Sequence, residues 1–463
     1  MMNIPLTRLA TSRNALILLV SSFYWSLQLM LLDKQHYDIV NGNPLTNWNA
    51  SEWLIGYQGG FVRRGLFGSL LFQFAGQGID PYFVVTFLPT AAYLFLSALW
   101  FSITLSAVVR KGISSYYLFI SLLNPSALFF FVMGGNVYRK DVVFVALLVL
   151  SSFNLFCLIR EKISSKKALL LTLSFFALAV LVLGLHEGLF AFVAVPVWLS
   201  ICLFWGRDFS AFSRFLPVTA LFVGCSFLVS IFFFSSIVFK GNQVAVAEIC
   251  SAWSDYFPYD CATAGLHGLG AVSPLMWDIK RQLSLSGLRV MFSSLAPLTV
   301  LFGLLYLSCS VALSGVLFGK KCLDSYIAFL CVLALPVGTL FLIGCDWGRY
   351  LAVVNTSLLF VCAILSPSAQ IRVPIPFRAS FRKVYGLVEM FSLGLSTAVL
   401  SFNGSRISRQ SLVIVFFVFT FTGLNYIGYA SFDDLIDGSV WANFTGRAAW
   451  LLQVYFSQPV SPL

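Results

Sequence analysis

The sequence predicts an all-α fold, a polytopic transmembrane bundle of about twelve helices. It also predicts a long first outer loop and a large outer loop after helix seven. Three observations carry this. Apolar residues make up 59% of the 463 and charged residues only 10%, against about a quarter charged in soluble domains. Charge-free runs of about 17 or more residues recur along the chain, each long enough to cross some 30 Å of hydrocarbon. Lys and Arg are gathered in short clusters between apolar segments, as the positive-inside rule requires. The net charge of +11 therefore reads as membrane orientation, and no nucleic-acid partner is expected. The alternating pattern of a membrane β-barrel is absent.

Taken in order, Arg8 and Arg13 precede the first predicted helix, 14–32, and place the N-terminus inside. This helix is retained, since no small-residue cleavage site follows it. It delivers the polar stretch 33–68 to the outer side. Residues 65–76, GLFGSLLFQFAG, are apolar but too short to span, and read as an interfacial or re-entrant helix. Helices follow at 82–109, 115–133, 142–159, 168–185 and from 189 to 205, then at 215–239 and 288–313. Helix nine is expected at 325–344 and helix ten directly after Arg349, with two more at 384–401 and 411–429. Residues 1–430 form one membrane domain, and 431–463 stay unassigned.

This threading sorts the charges. The clusters at 8–13, 110–111, 160–167, 207–214, 320–321 and 372–383 hold sixteen Lys or Arg and fall inside, with only Glu161 and Asp208 as acids. Asp33, Asp38, Glu52, Asp141, Glu187, Glu248, Asp255, Asp260, Asp278 and Asp346 fall outside or at the outer membrane edge. Chemistry-bearing residues thus converge on one face from at least five loops. Arg406 and Arg409 sit outside in this threading, against the rule.

Asp33 and Asp38 lie just past helix one, at a depth suited to a lipid-anchored substrate. A carboxylate there can deprotonate an acceptor hydroxyl; the plainer alternative is a solvated charge at a helix end. The run Gly59-Gly60-Phe61-Val62-Arg63-Arg64-Gly65 joins glycines that allow close backbone approach to two forked donors suited to phosphate oxygens. Its plainer alternative is a pair meeting lipid headgroups. Arg139, Lys140 and Asp141 close the second outer turn, where Asp141 also suits a helix start. His186 and Glu187 sit between two apolar segments with almost no loop, an expensive position unless it is used. Asp346 and Arg349 close the fifth outer turn, with simple Asp–Arg pairing as the alternative. Stretch 240–287, long for a connector, reads as a lid or binding loop. Within it Cys250 and Cys261 are placed to form a disulfide if they face an oxidising compartment. No H-E-x-x-H spacing exists, so no metal or other cofactor is expected, and a divalent metal stays open.

The layout resembles the GT-C superfamily of polyprenyl-phosphate-dependent membrane glycosyltransferases over roughly residues 14–310. Those enzymes share a first helix, a long outer loop with interfacial helices and an acidic catalytic residue, short outer turns with a second acidic or phosphate-binding site, and a larger mobile loop after helix seven. Residues 33–81, 134–141 with 186–188, and 240–287 hold those places here. Leu32-Asp33-Lys34-Gln35-His36-Tyr37 is similar to the acidic motif of protein mannosyltransferases, with Lys34 replacing the second acid and Asp38 as the substitute. The layout is also similar to bacterial O-antigen polymerases.

Either resemblance implies a transferase of surface polysaccharide synthesis (lipopolysaccharide, O-antigen or capsule) in the bacterial inner membrane, acting on its periplasmic face. Asp33 or Asp38 would be catalytic. Arg63, Arg64, Arg139, Lys140, Asp141, His186, Glu187, Asp346 and Arg349 would bind substrate. The partners implied are a polyprenyl-phosphate-linked sugar donor, a glycan or lipid-linked acceptor, and membrane lipids. A polysaccharide or lipid-linked sugar transporter is the rival. Transport calls for polar groups near the midplane, where the predicted helices carry almost no charge apart from Glu389.

Overall fold

The computed structural model describes residues 6–40, 52–59, 64–111, 115–122, 137–160, 164–205, 243–256, 314–343 and 347–365, with a few single positions elsewhere. The expected helices at 215–239, 288–313, 384–401 and 411–429 lie outside the described residues, apart from such single positions. Every described element is helical: α1 Leu6–Val40, α2 Gly65–Gly76, α3 Pro81–Lys111, α4 Ser115–Leu122, α5 Lys140–Arg160 and α6 Ser165–Leu185. Next come Glu187–Leu189, a π-helical turn Phe190–Ala194 and Val195–Trp205, which run on as one helix, α7. The described elements end with α8 Gln243–Trp253, a π turn Ser314–Phe318, α9 Lys320–Ile343 and α10 Trp347–Leu365. Six of these helices are long and apolar enough to cross a membrane.

One boundary differs from the expectation for a physical reason. Helix one continues about two turns beyond Leu32, so Asp33 and Asp38 ride on α1 rather than on a loop. No Gly or Pro interrupts DKQHYDIV, and charge marks the end of the hydrocarbon, not of the helix. Of the expected helix 115–133, Ser115–Leu122 is described and helical, and most of the rest lies outside the described residues.

Helix α5 is central, packed against α6, α10, α3 and α7. Its N-terminus meets the start of α10 through the Asp141–Arg349 ion pair described below. At the opposite end the Lys111 ammonium lies beside Gly319, where an added Cβ would approach it to 3.2 Å, so two of the inner basic clusters come together. Buried polar pairs staple helices where lipid offers no competing partner. Tyr93 donates to Gln28, Tyr326 to Asn355, and Asn154 to Ser174 at 2.9 Å. Large apolar side chains on the outer helices stay exposed, among them Leu18, Leu19 and Phe23 on α1, Phe83 and Phe87 on α3, Leu169, Leu170 and Leu173 on α6, and Leu335 on α9. Such a girdle is what a lipid-facing surface presents.

At one end of the bundle, segment 52–57 is wedged against α2. Trp53 Nε1 donates to the Tyr138 carbonyl at 2.7 Å, Trp253 Nε1 to the Leu54 carbonyl at 2.8 Å, and the Tyr57 amide to Ser69 Oγ at 2.8 Å. The approach is close enough that a Cβ at Gly68 would overlap the Ile55 carbonyl oxygen. Gly68→Ala is therefore expected to destabilise the protein by about 1–3 kcal/mol through overpacking. A thermal melt of the purified chain in detergent checks this, and an unchanged midpoint would refute the wedge.

Candidate functional site

The wedge positions a charged cluster assembled from five separate chain segments. Glu52 comes from the segment before α2, Arg64 from the residue that opens α2, and Arg139, Lys140 and Asp141 from the start of α5. His186 and Glu187 come from the α6–α7 junction, and Arg349 from the first turn of α10. All eight are buried, from Lys140 and Asp141 at 1% exposed to Arg64 at 9%.

Three guanidinium groups point at one carboxylate oxygen. Glu52 Oε1 lies 3.0 Å from Arg139 Nη2, 3.4 Å from Arg64 Nη1 and 3.8 Å from Arg349 Nη1. A second acid ties two of them together: Asp141 Oδ2 is 3.5 Å from Arg349 Nε and 3.7 Å from Arg139 Nε. Glu187 Oε2 is 3.7 Å from Arg64 Nε. Lys140 Nζ donates to the Arg64 carbonyl at 3.2 Å and stands 5.7 Å over the Trp53 ring. Among the described residues, four basic side chains, Arg64, Arg139, Lys140 and Arg349, face three acidic ones, Glu52, Asp141 and Glu187, in this cluster.

Burial alone would push the Glu52 carboxyl up, but Arg139, Arg64 and Lys140 outweigh it and hold it below the usual carboxylate range. A carboxylate kept ionised in this way is a poor proton acceptor, so Glu52 suits organising cations better than acting as a base. For Arg64 burial works against the charge, and Glu187 and Glu52 overcome it and raise its pKa.

Two local features are strained or conflicted. Arg64 has φ 61° and ψ 13°, the one non-glycine with positive φ among the described residues. The left-handed region costs a side-chain-bearing residue about 1–2 kcal/mol, and such outliers persist where the surroundings over-determine them. Here the Lys140 bond to its carbonyl and the contacts of its guanidinium fix both ends. At His186, the Leu189 amide donates to Nδ1 at 3.2 Å, and Arg64 Nη2 lies 2.9 Å from Nε2. A neutral imidazole has one acceptor nitrogen, so one of these contacts sets two donors face to face.

Of the residues singled out in the sequence, Arg64, Arg139, Lys140, Asp141, His186, Glu187 and Arg349 come together in this cluster. Asp141 is at once an acid in the first turn of α5 and a partner of two arginines. Arg349 pairs with Glu52 and Asp141, whereas Asp346 and Arg63 lie outside the described residues. Asp33 is exposed on α1, apart from the buried set. Burial pushes the Tyr138 hydroxyl up and Asp33 adds to that, which places the carboxylate within electrostatic reach of Tyr138, next to Arg139. Asp38 is on α1 too, but its side chain is outside the described residues.

Glu52 is the member that the motif reading left out of the site. Its signal was the excess of outer arginines, which need a buried acid, and the apolar Trp53-Leu54-Ile55 that follows it. Cys250, on α8, is disulfide-bonded; Cys261 lies outside the described residues. Among the described residues no three His, Cys, Asp or Glu side chains are grouped to hold a metal.

Fold and site together define a helical, membrane-embedded protein with a buried, arginine-rich polar site at one end of its bundle. No protein-family model, no curated protein and no solved structure matches the chain.

Proposed function

We propose that the chain is an integral membrane glycosyltransferase of cell-surface polysaccharide synthesis, using a polyprenyl-phosphate-linked sugar donor at the outer face of a bacterial inner membrane. The observation that carries this reading is the convergence of Arg64, Arg139 and Arg349, from three separate segments, on one point at the end of a lipid-embedded bundle. Guanidinium forks match phosphate oxygens. In a low-dielectric site they stabilise the charge that collects on the lipid phosphate as the sugar leaves. His186 and Glu187 orient the donor from the α6–α7 junction. Asp33, exposed on α1 and within electrostatic reach of Tyr138, is the candidate base for the acceptor hydroxyl, with Asp38 further along α1.

The disulfide at Cys250 supports an oxidising compartment on this side, since Trp253 of the same helix is bonded two residues from Glu52. The polymerase version of the reading has the same donor class and site, and differs in moving a whole repeat unit.

The test is transfer from a polyprenyl-phosphate-linked sugar by the full chain in detergent solution. Wild type is expected to be active without a sealed membrane. Asp33→Asn or Asp38→Asn should cost about 10²–10⁴-fold, the usual worth of a positioned base. Full rates in both variants would remove the base assignment. No transfer in detergent, together with movement of lipid-linked sugar across sealed vesicles, would replace the reading by a transporter.

A further inference from the structure

We propose that the Glu52 carboxylate is a resident anion in a seat shaped for a phosphate group, and that ligand binding exchanges the one for the other. The inference rests on the phosphate-binding reading above and adds to it how the empty site is kept and which residue sets the charge it accepts.

The geometry fits a phosphate better than the group now present. A carboxylate oxygen has two lone pairs, yet three guanidiniums are aimed at Glu52 Oε1. Only the Arg139 contact, at 3.0 Å, has ordinary hydrogen-bond length, while those of Arg64 and Arg349 stretch to 3.4 and 3.8 Å. A phosphate group offers several oxygens in a tetrahedral array, enough for each guanidinium to take its own. The Arg64–His186 contact points the same way. His186 has donors at both ring nitrogens, the Leu189 amide 3.2 Å from Nδ1 and Arg64 Nη2 2.9 Å from Nε2, and a neutral ring accepts only one of them. An acceptor oxygen near Arg64 Nη2 would relieve that conflict.

Burial explains why the seat is filled. Without Glu52, the three guanidiniums would face two acids among the described residues, and an uncompensated positive charge in a site less than 10% exposed is costly. With Glu52 present, three guanidiniums face three carboxylates, and Lys140 adds a fourth basic group. An arriving phosphate group takes over the charge that Glu52 supplies and frees the carboxylate to rotate out. A diphosphate, which carries more negative charge than a monophosphate, suits the vacated seat better. The backbone around Glu52 does not have to move, because Trp53, Leu54 and Tyr57 are pinned to Tyr138, Trp253 and Ser69. Glu52 thus acts as a positioning and charge-selecting residue, not as a catalytic one.

The experiment measures equilibrium binding of farnesyl diphosphate, farnesyl phosphate and uncharged farnesol to the purified full-length chain in detergent. Wild type, Glu52→Gln, Glu52→Asp and Arg349→Ala are compared. Glu52→Gln is expected to bind farnesyl diphosphate about tenfold or more tightly than wild type, with a smaller gain for the monophosphate and none for farnesol, because it removes the competing charge. Glu52→Asp retracts the carboxylate by one methylene and should gain about threefold, which keeps the test open if the Gln variant does not fold. Arg349→Ala should lose binding of both phosphates. If wild type binds, Arg349→Ala does not, and neither Glu52 variant gains, the exchange is wrong and the phosphate seat stands. If neither wild type nor Glu52→Gln binds either phosphate, both the exchange and the reading beneath it are overturned.

Discussion

Arg64→Ala and Arg64→Gly are expected to lose sugar transfer to a similar degree, about 10²–10³-fold as for removal of one donor at a developing anion, while differing in stability. The side chain touches Glu52, Glu187 and His186 at once, and neither replacement restores any of those contacts. The backbone tells them apart. At φ 61° alanine keeps the steric penalty of a Cβ and glycine does not, so the Gly variant should be about 1 kcal/mol more stable than the Ala variant. Arg64→Lys keeps the charge but has one point donor where three partners are spread around a planar fork, and should recover little activity. Melting curves and transfer rates on the three proteins check this. A Gly variant with near-wild-type transfer would remove Arg64 from the chemistry. Equal stability of Gly and Ala would mean the left-handed backbone is not strained.

How much of this was legible in the sequence depends on what kind of signal each residue left. His186 and Glu187 were readable because a charge between two apolar spans is costly in hydrocarbon, and cost is visible without a structure. Arg64, Arg139 and Arg349 were readable because outer arginines violate the bias that orients the spans. Asp33 lies on a helix and not in a loop, because the Asp33-Lys34 pair does not end α1, which continues to Val40.

Glu52 was hidden for a different reason. It is one acid in a polar loop, and only the meeting of three arginines from segments 12, 87 and 297 residues away in sequence gives it meaning. Long-range convergence of that kind has no local pattern. The left-handed backbone of Arg64 was equally invisible, because glycine-rich surroundings suggest that a glycine, not the arginine, would take the positive φ.

The separation of architecture from chemistry rests on Arg139. Its guanidinium lies 3.0 Å from Glu52 and 3.7 Å from Asp141, so Arg139→Ala leaves two buried carboxylates short of a partner. Removing one side of a buried pair costs about 3–5 kcal/mol, and the melting midpoint should fall accordingly. Arg139→Met combined with Glu52→Leu removes one charge of each sign, leaves the charge balance of the cluster unchanged, and fills the space with apolar atoms. Buried pairs replaced in this way are often neutral or stabilising, so the double variant should regain most of the lost stability. It should not regain transfer, because one of the three guanidiniums proposed to hold the donor phosphate is gone. A double variant that is both stable and active would show that these charges only hold the helices together, and a structural cluster would then have to replace the donor site. Recovery of stability without activity is the expected outcome, since a bundle in lipid can be stapled by neutral pairs such as Tyr93–Gln28 and Asn154–Ser174 and does not need eight buried ionisable groups for that purpose.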